Sequence, residues 1–195
     1  MNPLISVVIN CRNGEEFLKE AIDSVYAQTY QNWEIIFWDN ASTDNTKSIA
    51  CSYDKKLIYY KASELTNLHT ARNLAITKCN GSAVAFLDAD DIWIDNKLEK
   101  QVKLFCEGNR FVYGGYKDID EFGNASGPIQ TDCPSGFITS KLLNKNTISV
   151  GCVLIDIDLM KGYGFDEEYE IMGDFDLWVR LSKTVSIKGI NEIVE

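Results

Sequence analysis

Residues 83–93, Ala-Val-Ala-Phe-Leu-Asp-Ala-Asp-Asp-Ile-Trp, constrain this chain more than any other stretch. The first five are apolar with no polar group among them, the pattern of a short strand covered on both faces. The run then breaks into three carboxylates within four positions, Asp88, Asp90 and Asp91. Carboxylates this close repel one another unless positive charge lies between them. An all-oxygen donor set suits a hard divalent cation such as magnesium or manganese. A strand that leads straight into acids also places them at its carboxyl end, where open α/β sheets bind ligands. The spacing alone leaves a second reading open, a solvated acidic turn that caps the next helix.

The flanking sequence repeats the strand-then-polar arrangement. Residues 4–9 read as a buried strand ending in Asn10-Cys11-Arg12-Asn13-Gly14, a polar turn whose glycine is expected at positive φ. Residues 15–28 carry Phe17, Leu18, Ala21, Ile22, Val25 and Tyr26 at helical spacing, with Glu15 and Glu16 in the first turn as the helix dipole favours. A second strand, 34–38, ends in Asp39-Asn40-Ala41-Ser42-Thr43-Asp44, and a helix is expected over 43–52. A third strand is expected over 57–60 and helices over 67–79 and 95–106, the latter two on either side of the central strand 83–87. Strands alternating with helices imply a parallel sheet with helices on both faces.

Beyond Gly108 the pattern becomes irregular. Residues 111–116 and 117–122 read as separate extended segments with a turn at 122–124. The Gly-, Pro-, Ser- and Thr-rich stretch 124–135 reads as a loop, 148–155 as a strand and 175–183 as a short helix. At 195 residues and 45% hydrophobic, the chain fits a single domain over 1–195, with a nucleotide-binding-like half at 1–107 and a second half at 108–195.

Three apolar strands thus end in polar clusters at 10–13, 39–44 and 88–91, and in a parallel sheet those ends meet on one edge. Asp39 is placed to accept a hydrogen bond from a base ring nitrogen, and Arg72 to meet a diphosphate or to form a surface salt bridge. Asp44 reads as a helix cap. The formal charge of −10 excludes a phosphate-backbone binder, so no nucleic acid partner is expected, although one metal and a few basic residues suffice for a nucleotide. Six cysteines without a C-x-x-C pair and a single histidine, His69, form neither zinc spacing nor a disulfide framework. No signal peptide and no membrane-length apolar run are present, so a cytoplasmic protein is expected.

Five segments in order carry a resemblance. Ser6-Val7-Val8-Ile9-Asn10-Cys11-Arg12-Asn13, Asp39 to Asp44, Ala71-Arg72-Asn73, Phe86 to Asp91, and Phe165-Asp166-Glu167-Glu168 with Gly173-Asp174-Phe175-Asp176-Leu177-Trp178 resemble family 2 glycosyltransferases. The resemblance implies a GT-A-type nucleotide-diphospho-sugar transferase fold, a Rossmann-like, mostly parallel sheet flanked by helices. It implies transfer from a nucleotide sugar, a UDP-sugar above all, to a glycan or lipid-linked acceptor, with Mn2+ or Mg2+ as cofactor and inversion by single displacement. Carried over by position, Asp39 binds the base with Asn10 and Arg12 lining its pocket. Asp88 and Asp90 form the D-x-D motif, Asp90 on the metal and Asp88 on metal or ribose. Asp174 is the general base. The acceptors of the family, in cell-wall, capsule, lipopolysaccharide and glycolipid synthesis, imply work at the inner face of a membrane.

The departures are specific. The family's first loop usually reads Pro-Thr-Tyr-Asn, so Arg12 stands where an aromatic stacks on the base, and a flat guanidinium can stack in its stead. Asn40 replaces a common second Asp. Gly173 replaces the Glu that usually precedes the base. The chain stops at Glu195, where many relatives continue, which implies a shortened or compact form. His69 is weighed as a phosphate contact or a structural residue, Trp38, Trp93 and Trp178 as packing, and Tyr163 and Tyr169 as walls of an acceptor groove. Two other functions stay open: a non-catalytic nucleotide-sugar- or partner-binding module, and a sugar nucleotidyltransferase, which usually shows a glycine-rich basic loop absent here.

Overall fold

Period-two alternation divides the apolar residues of the first strands between two faces. In β1 (Ile5–Cys11), Ile5, Val7 and Ile9 pack on one side and Val8 on the other; in β2 (Trp33–Asp39), Ile35 and Phe37 oppose Ile36 and Trp38. Strands buried on both sides need helices on both faces. The computed structural model, which describes residues 2–195, has them. Leu18 and Ile22 of α1 (Leu18–Tyr26), Ala50 of α2 (Thr46–Ala50) and Leu98 of α4 (Lys97–Cys106) join the cluster on the Ile35 face. Ala71 and Ala75 of α3 (Leu68–Ile76), Leu142 of α5 (Thr139–Asn144), Met160 of α6 (Ile157–Tyr163) and Trp178 of α7 (Gly173–Ser182) join that on the Ile36 face.

The sheet runs β3 (Leu57–Lys61), β2, β1, β4 (Ala83–Phe86), β7 (Val153–Asp156), β5 (Phe111–Ile119), β6 (Ala125–Gln130), with β8 (Lys188–Ile193) paired to β5. The β3-β2-β1-β4 half is parallel, as expected, and the β4-β7-β5-β6 half antiparallel. Cys11 lies opposite Asp39 and Val8 opposite Phe86, and Leu87 N–H donates to the Val8 carbonyl at 3.0 Å. The carboxyl ends of β2, β1 and β4 therefore converge on one edge.

The irregular half differs from expectation. Residues 111–119 form one strand, not two segments, and the expected loop 124–135 contains β6. Gly127 and Pro128 argue against a strand in sequence, yet β6 pairs only with β5 and an edge strand tolerates proline. The hairpin turn is set by Asp120, whose Oδ1 accepts from Phe122 N–H (3.0 Å) and Asn124 N–H (2.8 Å), with Gly123 at φ 79°. The strand expected over 148–155 splits into a 3-10 turn, Val150–Cys152, and β7. Helix α6 had been hidden by the alternation Ile155-Asp156-Ile157-Asp158; Asp156 Oδ1 caps it by accepting from Asp158 and Leu159 N–H. The tryptophans pack as expected: Trp93 and Trp178 are buried, Trp178 edge-on to Phe111, and Trp38 stacks with Tyr60. Among the described residues, no helix is long and apolar enough to cross a membrane.

Candidate functional site

The loops after β1 and β2 are knitted together by their own polar residues. Asn13 Oδ1 accepts from Thr43 N–H at 2.9 Å, and Asn13 N–H donates to Ser42 Oγ at 3.0 Å. Asp44 accepts from Glu15 N–H (3.1 Å) and Thr46 N–H (3.0 Å), which makes it the structural cap expected. Asn13 and Ala41 sit at φ 54° and 61°, a left-handed region rare outside glycine and concentrated at functional loops. The expected positive φ is thus at Asn13, not Gly14. Gly14 is required for space, because a Cβ there would lie 2.5 Å from Cys11 Sγ.

Asn10 and Arg12 end β1 and open its loop beside this frame. Arg12 is exposed, whereas Asn10 is buried with neither Oδ1 nor Nδ2 hydrogen-bonded, an arrangement that costs about 1–3 kcal/mol and is relieved by a polar ligand. Asp39 lies elsewhere. It shares the Phe37 face of β2, its carboxylate accepts from Ser42 N–H at 2.7 Å and from the Tyr59 hydroxyl, and it is 1% exposed. Asn40 faces the cleft instead, tied to Thr66 by Nδ2–H to the carbonyl (2.8 Å) and by N–H to Oδ1 (3.1 Å).

The three acids of the run have different surroundings. Arg72 Nη2 donates to Asp88 Oδ1 at 2.7 Å; the arginine is buried and Asp88 half-buried, so this is a partly buried pair and not the surface salt bridge that was the alternative. Its guanidinium also lies over the Phe165 ring, 5.5 Å from the centroid. Asp91 meets Glu195, and burial followed by the mutual repulsion of the pair raises the Asp91 pKa, while burial raises that of Glu195. Asp90 alone is exposed and without a side-chain partner among the described residues. The segment behind it is pinned by the buried Gln28, which donates to the Ile94 carbonyl (2.9 Å) and accepts from Leu98 N–H (2.9 Å).

Helix α3 joins the two ends of the site. Arg72 reaches Asp88 from its middle, and His69, one turn earlier, stacks on Phe165 and packs against Gly173, the residue before Asp174 in the first turn of α7. His69 is buried and does not reach the surface as a phosphate contact would. Tyr163 bonds Thr184 Oγ1 at 2.6 Å, and Tyr169 is exposed.

Three cavities meet at Asp90, and a fourth adjoins one of them. One of 240 Å³ runs between Arg12, Asn40, Thr66 and Leu68, and one of 390 Å³ continues it from Asn10 and Arg12 to Asp88 and Asp90. Beyond Asp90, one of 380 Å³ extends over Phe17 to the β5–β6 turn, and one of 620 Å³ lies among Asp91, Ile94, Tyr116, Lys117 and Glu195. Asp90 lines three of them; Asp39 and Asp174 line none. Residues such as Thr66, Tyr116 and Glu195 carry no motif, and only the fold brings them here.

No group of three or more His, Cys, Asp or Glu side chains among the described residues is arranged to hold a metal by itself. The donor set is nonetheless oxygen only, and it fits Mg2+ or Mn2+, which complete their shells with water and substrate phosphates.

A sequence model of glycosyl transferase family 2 matches residues 6–155. The chain is 33% identical over 190 residues to UDP-Glc:alpha-D-GlcNAc-diphosphoundecaprenol beta-1,3-glucosyltransferase WfgD of Escherichia coli, covering 96% of this chain and 73% of that protein. S. aureus TarS 1-349 in complex with UDP-GlcNAc superposes with a TM-score of 0.81 at 20% identity, over 97% of this chain and 56% of that one. The mannosyltransferase PcManGT from Pyrobaculum calidifontis, in complex with GDP-Man and Mn2+, gives 0.76 at 19% identity, over 99% of this chain and 55% of that one. The chain spans less than two thirds of both solved structures.

Proposed function

The chain belongs to glycosyltransferase family 2, with the GT-A fold, and from that premise we propose that it is an inverting, metal-dependent transferase moving a sugar from a UDP-sugar to a hydroxyl of a glycan or lipid-linked acceptor. The observation that carries this reading is the run of adjoining cavities from Asn40 to Asp90, lined by Asn10, whose buried amide has no partner, and ending on Asp90, the exposed carboxylate of the acidic run without a side-chain partner among the described residues.

In this reading residues 1–107 hold the donor and residues 108–195 the acceptor, as parts of one domain. Asn10 gives its amide to the base or ribose, and Arg12 stacks on the base as a flat cation. Asp39 accepts the base N–H by giving up the Tyr59 hydroxyl, which requires a rotation towards the cleft. Arg72 holds Asp88 turned to the ribose through its ion pair and adds positive charge beside the diphosphate. Asp90 and Asp88 would hold a Mn2+ or Mg2+ ion, which would supply Lewis-acid stabilisation to the leaving diphosphate. The acceptor sugar lies against Asp174, which lines none of the four cavities. Its hydroxyl is a weak nucleophile at neutral pH, so Asp174 takes the proton as the oxygen bonds to the anomeric carbon and the bond to the diphosphate breaks. One displacement inverts the anomeric centre. Because WfgD is named for a GlcNAc-diphosphoundecaprenol acceptor, a GlcNAc-diphospho-lipid is the acceptor to try first, placing the enzyme at the cytoplasmic face of a membrane in cell-envelope polysaccharide synthesis.

That Asp174 lines none of the four cavities favours a second reading, a nucleotide-sugar-binding module without turnover. UDP release from UDP-glucose with Mn2+ and a GlcNAc-diphospho-lipid separates the two. The transferase reading expects Asp174→Asn to lose turnover by roughly two orders of magnitude or more while binding UDP normally. Wild-type protein that binds UDP but never releases it from a sugar donor supports the module.

A further inference from the structure

Gly173 opens α7 directly against the ring of His69. A Cβ at 173 would lie 2.6 Å from His69 Cε1 and closer still to Nε2, so the imidazole fills the volume that a side chain at 173 would need. This is the position where the family resemblance expects glutamate, and the bulk has moved from α7 to α3. Packing alone does not call for an imidazole. The ring is 3% exposed and lies flat on Phe165 at 5.6 Å and 15°, yet neither Nδ1 nor Nε2 has a hydrogen-bond partner. A leucine would fill much of this space and leave no polar atom unsatisfied. The first turn of α7, for its part, has no side-chain cap: Met172 precedes it at φ 64° without a capping bond.

We propose that His69 is a positioning residue for Asp174: its imidazole replaces the side chain missing at 173, sets the spacing between α3 and the first turn of α7, and keeps a ring N–H, unbonded in this structure, to orient the Asp174 carboxylate when substrate is bound. The inference rests on Asp174 acting as the base. The charged groups that face the ring are Arg72 from α3, Asp174 from α7 and Asp166 from the segment before α7. Burial and then Arg72 lower the imidazole pKa, the two acids oppose them, and the balance is downward, so the ring is neutral at pH 7. A neutral ring has one donor to give, and a neutral donor orients a carboxylate without drawing it into an ion pair that would weaken it as a base.

His69 is the only histidine, so its imidazole ¹⁵N resonances need no assignment. In the free protein they should show a neutral ring at pH 7, and Asp174→Asn should shift its titration midpoint further down. A midpoint and tautomer indifferent to Asp174→Asn overturn the inference without any turnover assay. In the UDP-release assay, His69→Leu should melt at or above the wild-type temperature and keep the donor KM, while kcat falls roughly ten- to a hundredfold. His69→Gln, which restores an N–H near Nε2, should recover most of that loss. If Asp174→Asn abolishes turnover and His69→Leu does not, the positioning role is refuted and the base stands. If Asp174→Asn keeps turnover, the reading of Asp174 as base fails first.

Discussion

Replacing Arg72 by methionine removes the positive charge that pairs with Asp88 while keeping most of the apolar stem. The lost bond is a 2.7 Å charge-assisted contact between a guanidinium that is 4% exposed and a carboxylate that is 34% exposed. With one partner open to water, the loss is about 1.5–3 kcal/mol, below the figure for breaking a fully buried pair. The guanidinium over Phe165 adds about 0.5–1 kcal/mol. Together these give roughly 2–4 kcal/mol, which for a chain of this size is a fall in melting midpoint of about 5–15 °C. Because Asp88 also loses its anchor and the diphosphate its nearby charge, UDP–Mn2+ affinity should fall about tenfold, the equivalent of ~1.4 kcal/mol. Circular-dichroism melts and calorimetry read the two effects separately. Arg72→Lys keeps the charge without the planar fork and should restore only part of each. An Arg72→Met protein that melts with the wild type and binds UDP–Mn2+ equally well refutes the reasoning.

Lys97 is fully buried, its Nζ bonded to Gln101 Oε1 at 2.6 Å and set over Trp93, and burial pushes its pKa from 10.5 down to about 8. Between pH 8 and 10.5 the unfolded chain therefore binds the extra proton, so this lysine contributes a stability that rises with pH across that window. Lys97→Met should shift against wild type by about 3 kcal/mol over it, and urea melts at both ends test the difference. Measuring the difference matters, because Cys11 and Cys133, raised to about 11 by burial, make both proteins less stable above pH 9. Gly173→Ala should destabilise by about 1–3 kcal/mol through overpacking on His69, and a His69→Ser background should relieve it. A single variant as stable as wild type in urea would show that the two helices can part freely.

The parallel half of the fold was legible because its strands are continuous apolar runs and its helices carry clean stripes; β1 to β4 and α1 to α4 all lie within the expected segments give or take a residue or two. The convergence of Asn10, Asp39 and Asp88 on one edge followed from chain order alone. What local sequence hid was parity and pairing. Asp39 ends β2 on the Phe37 face, so the cleft is lined by its neighbour Asn40, a distinction that a one-residue alternation decides. The repulsion within Asp88, Asp90 and Asp91 is relieved at Asp88 by Arg72, sixteen residues away, whereas Glu195, more than a hundred residues away, sets a further acid against Asp91 and helps to raise its pKa. The hairpin strand β6 escaped because edge position, not propensity, admits its Gly and Pro. Gly173 looked like a lost glutamate until His69 was found in its place.

Thermal unfolding with UDP and Mn2+, added singly and together, to wild type and to Asp90→Ala tests the donor site most directly. The cleft geometry predicts a rise in midpoint that needs both ligands, about 2.7 kcal/mol of stabilisation at a hundredfold excess over Kd, with its metal-dependent part abolished by Asp90→Ala. A rise produced by UDP alone and unchanged in Asp90→Ala would contradict Asp90 as the metal-holding carboxylate, and no rise with any nucleotide would contradict the donor cleft itself.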